Sequence, residues 1–552
     1  MEVKKCSVCK CWFNITDKDL EFYNKISPIF NDTKYSIPSP SLCPDCRTQR
    51  RQSFRNERNI YKRKCDATGE DIISIYSPDK PYKIYNQDFW WDDQWDALDY
   101  GFDIDFSLSF SKQFANLVKK VPRIAMMTVD SENSNYTNQS YENKNCYMCF
   151  AIADCEDMYY SECATHNTDC IDIWYTQHSS VSYDTVDCEN LSSSFHINEC
   201  IDCSNCTYCE DCIWCLFCFG CIWLRNKSYC IYNKQYTKEE YHKKIKNIDK
   251  NKISQEYQAL QKSIPRLAIK NVAISNVTGN NLRNCHNCEL CFDCHDLEAC
   301  NYSSWIFSSN NCFDCYGMWA SEWTYEWISV ERIKKSIVNT IVSDCDNMLY
   351  SDLCFYSHHC FGCVWLKNKS YCIFNKQYTK DEYEALVPKI IEKMKQDWEW
   401  WEFFSTSLSP FGYNESIASE YFPLTKEVAL EKWFNWSDYE TPFPKVAKII
   451  PANKLPEDIT EIPDDILNWA IECEITKKPF RIIRPELEFY KKYSLPIPKR
   501  HPDQRHLDRM SLRNPRKLYE RNCDKCSKNI ESTYAPEREE TVYCESCYNN
   551  QI

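Results

Sequence analysis

The chain has 552 residues, a net charge of −14, and 43% hydrophobic and 15% aromatic residues, enough apolar material for several folded cores rather than a disordered polymer. With only 7 Gly and neither GxGxxG nor GxxxxGKS/T present, the two common glycine-rich phosphate cradles are excluded. No run reaches the ~18 apolar residues of a membrane span, and the opening MEVKKCSVCKCW lacks the apolar stretch of a signal peptide. A cytoplasmic location is therefore expected, in which the 38 Cys stay reduced and read as metal ligands or small buried side chains.

The first expected domain, residues 1–130, is a zinc-ribbon unit with a basic helix. Cys6-x2-Cys9 and Cys43-x2-Cys46 place four thiolates around a tetrahedral Zn²⁺, and a closed four-sulfur shell is structural rather than catalytic. The segment Arg47–Lys64 carries eight basic groups and one acid. Within it Arg47, Arg51, Arg55 and Arg58 are spaced four, four and three apart, on one helical face. That face suits phosphate contacts. It suits equally well an intramolecular ion-pair face docked on an acidic partner within the chain. Trp90, Trp91 and Trp95 read as packing residues.

Two Cys-rich lobes with closing helices follow, at 131–267 and 268–396. CFGCIWLRNKSYCIYNKQYTKEEY at Cys218 recurs as CFGCVWLKNKSYCIFNKQYTKDEY at Cys360, a shift of 142. Within each lobe the cysteines keep a spacing of three. Cys146 to Cys230 hold one frame apart from Cys163, and so do Cys285 to Cys372, including Cys312 and Cys315. That period is neither helical nor that of a flat strand. It predicts a narrow β-solenoid that turns every third residue onto its axis. The ladder from Cys200 to Cys221 could bind metal, as a metal-thiolate store would, but core packing is the simpler reading, since buried Cys behaves as a small hydrophobe. Thr237 with Glu240, and Thr379 with Glu382, are capping boxes that predict helices to about 262 and 396, closing each lobe.

An aromatic-rich connecting region is expected over 397–470, with Trp398, Trp400 and Trp401, and a second ribbon unit over 471–552. Cys523-x2-Cys526 and Cys544-x2-Cys547 supply its four zinc ligands. This unit repeats the first. At a shift of 467, Leu20-Glu21-Phe22-Tyr23 falls on Leu487-Glu488-Phe489-Tyr490, and at 458 Cys65-Asp66 falls on Cys523-Asp524. Arg47, Arg51, Arg55 and Arg58 then fall on Arg505, Arg509, Arg513 and Arg516. The alignment sets Cys9 on Thr476, Cys43 on His501, Cys526 on Thr68 and Cys544 on Asn86. Each end unit thus keeps one of two ancestral ribbons, with Cys65 and Cys473 as relics.

Together, CPDCRTQRRQSFRNER, KRKCDATGEDIISIYSPDKPYKIY, FFSTSLSPFGYNES and PFRIIRPELEFYKK resemble a family of cysteine-rich double zinc-ribbon proteins of small-genome, uncultured bacteria. The resemblance implies no activity. The fold expected is multidomain and mainly β: two narrow cysteine-rich solenoid lobes with helical caps, flanked by homologous α+β ribbon units. No catalytic constellation is visible. The expected function is that of a non-catalytic protein binding two Zn²⁺, with RNA or a ribosome, or an acidic partner, held at the arginine faces. The alternative is a scaffold offering the solenoid to a protein partner; no membrane and no small-molecule substrate is expected.

Overall fold

The computed structural model describes residues 2–249, 252–298, 300–302, 304–310, 316–325, 329–443 and 445–550, so Cys312 and Cys315 lie outside the described residues. The chain divides into two compact units, and neither is continuous in sequence. One comprises Met1–Ala125, Leu267–Tyr439 and Pro515–Pro536; the other comprises Met126–Arg266, Glu440–Asn514 and Glu537–Ile552. Each therefore joins one Cys-rich lobe to end-unit sequence from far along the chain.

Both lobes are parallel β-solenoids. In the lobe of Met126–Arg266 the strands run from Thr128–Val129 to Lys234–Gln235, and in the other from Asn271–Val272 to Lys376–Gln377. Each coil takes twelve residues. Thr168 pairs with Ser180, Ser180 with Ser192, Ser192 with Ser204, and Ser204 with Leu216; in the second lobe Lys334, Asp346, His358 and Ser370 stack the same way. The last pairing of each lobe is antiparallel, Cys230 with Gln235 and Cys372 with Gln377.

The period of three has a backbone cause. Along the first lobe nearly every third residue, among them Asp169, Asp172, Tyr175, His178, Val181, Asp184 and Asp187, has φ between +49° and +58°. Each turns the chain, and the residue after it faces the axis: Cys170, Ile173, Thr176, Ser179, Ser182, Thr185 and Cys188 are all buried. Four such turns close one coil. The left-handed conformation costs an L-residue ~1–2 kcal/mol, least for Asn and Asp. That cost explains why the turning positions are rich in Asp and Asn and why the lobes are acidic. Cys163, out of frame with the other cysteines, occupies a turning position, with φ +52°.

Turning residues stack at the spacing of adjacent strands. The Asn133 side-chain amide donates to Asn145 Oδ1 at 2.9 Å, and Asn145 donates to Asp157 at 3.0 Å. The rings of His166 and His178 stack at 4.8 Å, and those of His196 and Tyr208 at 4.6 Å. One coil of the second lobe is a residue short, Asn271 pairing with Leu282. Gly279 lies at that point with φ +134°, where an added Cβ would sit 1.8 Å from the Cys291 carbonyl oxygen.

A further stripe faces outward at the twelve-residue spacing and seats the end-unit sequence. In the first lobe Tyr159, Ile171 and Tyr183 pack with Ile471, Phe480, Leu487, Phe489 and Tyr490. In the second, Phe361 meets Phe110 at 5.6 Å, and Trp365 meets the fully buried Trp90 at 4.9 Å. Trp400 is also buried, whereas Trp398 is 79% exposed.

Both capping boxes form, at Thr237 with Glu240 and Thr379 with Glu382. The second helix runs Lys380–Gln396 as expected. The first differs: it stops at Ile245 and a separate helix spans Ile253–Ser263. The intervening Asn247 side chain takes the Lys243 carbonyl at 2.9 Å, the local competition by which Asn ends helices. Tyr241 packs on Phe219 and Ile231. Among the described residues no helix is long and apolar enough to cross a membrane.

Candidate metal centres and the arginine faces

Four copies of one turn carry the metal question. After each leading cysteine the chain folds back, so that the cysteine N–H meets a carbonyl five residues on and its own carbonyl receives an N–H from four residues on. The Cys6 N–H donates to the Cys11 carbonyl at 2.8 Å, and the Cys6 carbonyl accepts from the Lys10 N–H at 3.1 Å. Cys65 does so with Glu70 and Gly69 at 2.8 and 2.9 Å, Cys473 with Lys478 and Lys477 at 3.0 and 3.1 Å, and Cys523 with Lys528 and Ser527 at 2.8 Å each. The residue that donates to the cysteine carbonyl needs positive φ, and Lys10, Gly69, Lys477 and Ser527 lie between +59° and +76°.

Two of the four turns are completed as sulfur tetrads. The Sγ atoms of Cys6, Cys9, Cys43 and Cys46 lie within 4.8 Å of one another, and so do those of Cys523, Cys526, Cys544 and Cys547. Cys9 and Cys43 are 3.6 Å apart. A tetrahedral ion with Zn–S bonds of ~2.3 Å sets its sulfurs about 3.8 Å apart, so the donor set fits such an ion as it stands. Cys43 and Cys544 each occupy the N-cap of a helix, Pro44–Gln52 and Glu545–Asn549, where the helix dipole favours thiolate. Hydrogen bonding from the Cys46 side chain, added to by its backbone N–H, holds the Cys43 thiol down at about 5 against the opposing effect of burial. Burial pushes the Cys9 thiol up to about 11.

The other two turns replace the missing sulfurs with hydrogen bonds. Cys65 Sγ accepts from Thr68 N–H at 3.5 Å and from Asn86 N–H at 3.2 Å, and Asn86 caps its own helix through Phe89 N–H at 2.7 Å. Cys473 Sγ accepts from Thr476 N–H at 3.4 Å, and His501 caps the helix Pro502–Ser511 through Asp503 N–H at 3.2 Å. Burial raises the Cys65 thiol, but the Thr68 side chain and the surrounding N–H groups outweigh it and hold it below its ordinary value.

The arginines turn inward. Arg47, Arg51, Arg55, Arg505 and Arg509 are 1–7% exposed, and Arg58 is half-buried. Arg47 donates to the Leu42 carbonyl at 2.7 Å with its guanidinium 5.5 Å from the Tyr302 ring centre, Arg51 donates to Thr48 Oγ1 at 3.0 Å, and Arg55 pairs with Glu57. In the C-terminal copy the partners are carboxylates at the solenoid's turning positions. Arg505 and Arg509 both grip Asp172, the latter at 3.0 Å. Arg513 pairs with Asp187 at 2.7 Å and stacks on Tyr175 at 4.3 Å; Arg516 pairs with Asp293 at 2.8 Å and lies 4.5 Å from the Tyr421 ring centre.

The two copies make matching contacts. Arg505 lies over Tyr160 at 4.8 Å as Arg47 lies over Tyr302, and Tyr160 and Tyr302 are 142 apart, the shift between the lobes. A further pair escapes the sequence reading. Arg123 reaches Asp352 at 3.1 Å and Arg266 reaches Glu210 at 2.6 Å, and these acids also differ by 142. The signal was present in the short repeat of Pro122-Arg123-Ile124-Ala125 as Pro265-Arg266-Leu267-Ala268.

The ladder cysteines are placed differently from the tetrads. Each thiol points at backbone: Cys203 donates to the carbonyls of Ile201 and Cys212 at 3.4 Å, and Cys209 to those of Thr207 and Cys218 at 3.5 and 3.6 Å. No disulfide forms among the described residues. No family model, curated protein or solved structure matches the chain.

Proposed function

We propose that the chain is a non-catalytic scaffold in which two structural Zn²⁺ ions, one in each sulfur tetrad, hold the end units that clamp the solenoid lobes. Zinc supplies a closed, redox-inert four-sulfur shell there and contributes folding free energy to small knuckles with little core of their own. The helices at the close of each lobe act as caps that shield the last coil, as solenoids require.

The inward arginines carry this reading. A guanidinium already held by a buried carboxylate reaches a phosphate only by breaking that pair, which costs roughly 3–5 kcal/mol. RNA or ribosome binding through the same faces is the competing reading. Partner contact on the scaffold reading falls to apolar surface left open, such as Val3 and Trp12, 57% and 69% exposed on the first hairpin.

Fluorescence anisotropy with labelled single-stranded RNA separates the two at 50 and 200 mM salt. The scaffold reading expects no salt-dependent binding. Affinity that falls with salt at a log–log slope of about −0.7 per phosphate contact would overturn it.

A further inference from the structure

The ladder in the first lobe is more specialised than packing requires. Cys200, Cys203, Cys206 and Cys209 occupy all four inward positions of one coil, and Cys212, Cys215, Cys218 and Cys221 those of the next. All eight are 0–1% exposed. Neighbouring inward positions lie three residues apart along the coil and twelve apart across it, and the eight side chains pack in one buried cluster. The result is a continuous box of sulfur on the solenoid axis.

The fold does not demand cysteine there. Other inward positions of the same lobe seat Ile152, Met158, Ala164, Ile173, Leu191 and Ile197. The sister lobe is a direct control. At the shift of 142, Cys206, Cys209 and Cys215 correspond to Met348, Ser351 and Ser357, all buried at 0% in coils of the same pitch. Eight adjacent thiols also bury less apolar area than the aliphatic side chains seated elsewhere on the axis. The chemistry of sulfur, rather than its volume, distinguishes this segment.

We propose that the eight-thiol box binds a soft monovalent cation, Cu(I). Thiolate sulfur selects soft ions of this kind. Charge favours Cu(I) over zinc: each Cu⁺ replaces one thiol proton, a Cu–S bond forming as an S–H bond breaks and the proton leaves to water, and each resulting thiolate bridges two Cu⁺, so that every ion is two-coordinate with one thiolate per ion. The buried axis stays neutral and no oxidation state changes. A Zn²⁺ held by four thiolates would leave two net negative charges inside the box, an expensive burial. The tetrads avoid that cost, since Cys9 and Cys526 are exposed. Geometry agrees: among the described residues, the all-cysteine groups gathered within 4.8 Å are the two tetrads. The box therefore presents no tetrahedral set of four sulfurs, whereas a two-coordinate, bridging Cu(I) needs only two at a time.

The test uses the full-length, zinc-loaded protein under anaerobic conditions, titrated with Cu(I) against a chromogenic Cu(I) chelator while zinc release is followed. The expected result is about four or more Cu(I) retained per chain with the zinc kept, together with thiolate–Cu(I) luminescence. The triple variant Cys206→Met, Cys209→Ser, Cys215→Ser installs residues that the sister lobe already accommodates, and it should retain less than half as much. Copper uptake matched by zinc release would place the ion in the tetrads and overturn the proposal. So would failure to compete with the chelator, or unchanged uptake in a variant whose circular dichroism is native. The wild-type stoichiometry and zinc retention decide the matter even without the variant.

Discussion

Replacing Asp172 with Asn isolates the ion-pair network that joins the arginine helix to the first lobe. Asp172 sits at φ +58°, a conformation that Asn tolerates as well as Asp, and the two side chains have nearly the same shape. The substitution removes one charge and little else. The side chains involved are 1% exposed for Asp172, 8% for Arg505 and 3% for Arg509, so two guanidiniums lose their shared counter-charge away from water. Breaking a buried pair in this way costs about 3–5 kcal/mol, against ~0–1 for a solvated one. In urea, where the slope for a chain of this size exceeds the ~1–3 kcal/mol/M of small proteins, the midpoint should fall by roughly half a molar or more. Tryptophan fluorescence suits the measurement, because Trp174 lies beneath Arg513 at 5.1 Å. Adding Arg509→Met should recover part of the loss by removing one stranded charge. A loss under ~1 kcal/mol would mean that water already solvates these arginines and that the pair is not buried.

Elemental analysis should return two zinc ions per chain, and Cys523→Ser should remove one of them, whereas Cys65→Ser should remove none. Burial raises Glu486 to about 7, above its ordinary value of 4.5. The folded state therefore binds a proton that the unfolded state releases, and stability should fall as pH rises from about 4.5 to 7, at up to ~1.4 kcal/mol per pH unit. Urea midpoints across that range should show the slope, and Glu486→Gln should flatten it. Asn205, exposed at a turning position with φ +53°, should tolerate Gly within a few tenths of a kcal/mol. Asn205→Ile should cost ~1–2 kcal/mol in the same assay.

Much of the architecture was legible because it repeats. The spacing of three followed from the cysteines, and the tetrads from paired CxxC strings, since metal geometry fixes ligand spacing locally. The turning residues were less visible: Asp, Asn, His and Tyr share those positions, and what unites them is a backbone angle rather than a side-chain class. Arg505 and Arg509 share a face of the helix Pro502–Ser511, but Arg513 and Arg516 lie past its end, as Arg55 and Arg58 lie past the end of Pro44–Gln52, so the expected four-residue helical face is only half helical in each copy. The direction of Arg505 and Arg509 was open because Asp172 lies over three hundred residues away in sequence, and no local pattern reveals a partner at that distance. The short first closing helix was missed because Asn247 interrupts a run that otherwise keeps helical composition.

Arginine modification on the native chain shows whether the guanidiniums are shielded from solvent. Treatment with phenylglyoxal followed by peptide mass spectrometry should leave Arg47, Arg51, Arg55, Arg505 and Arg509 unmodified while the exposed Arg481 reacts. Modification of those five at the rate of Arg481, with the circular dichroism still native, would mean that the faces are open to solvent and to phosphate, and would contradict the account.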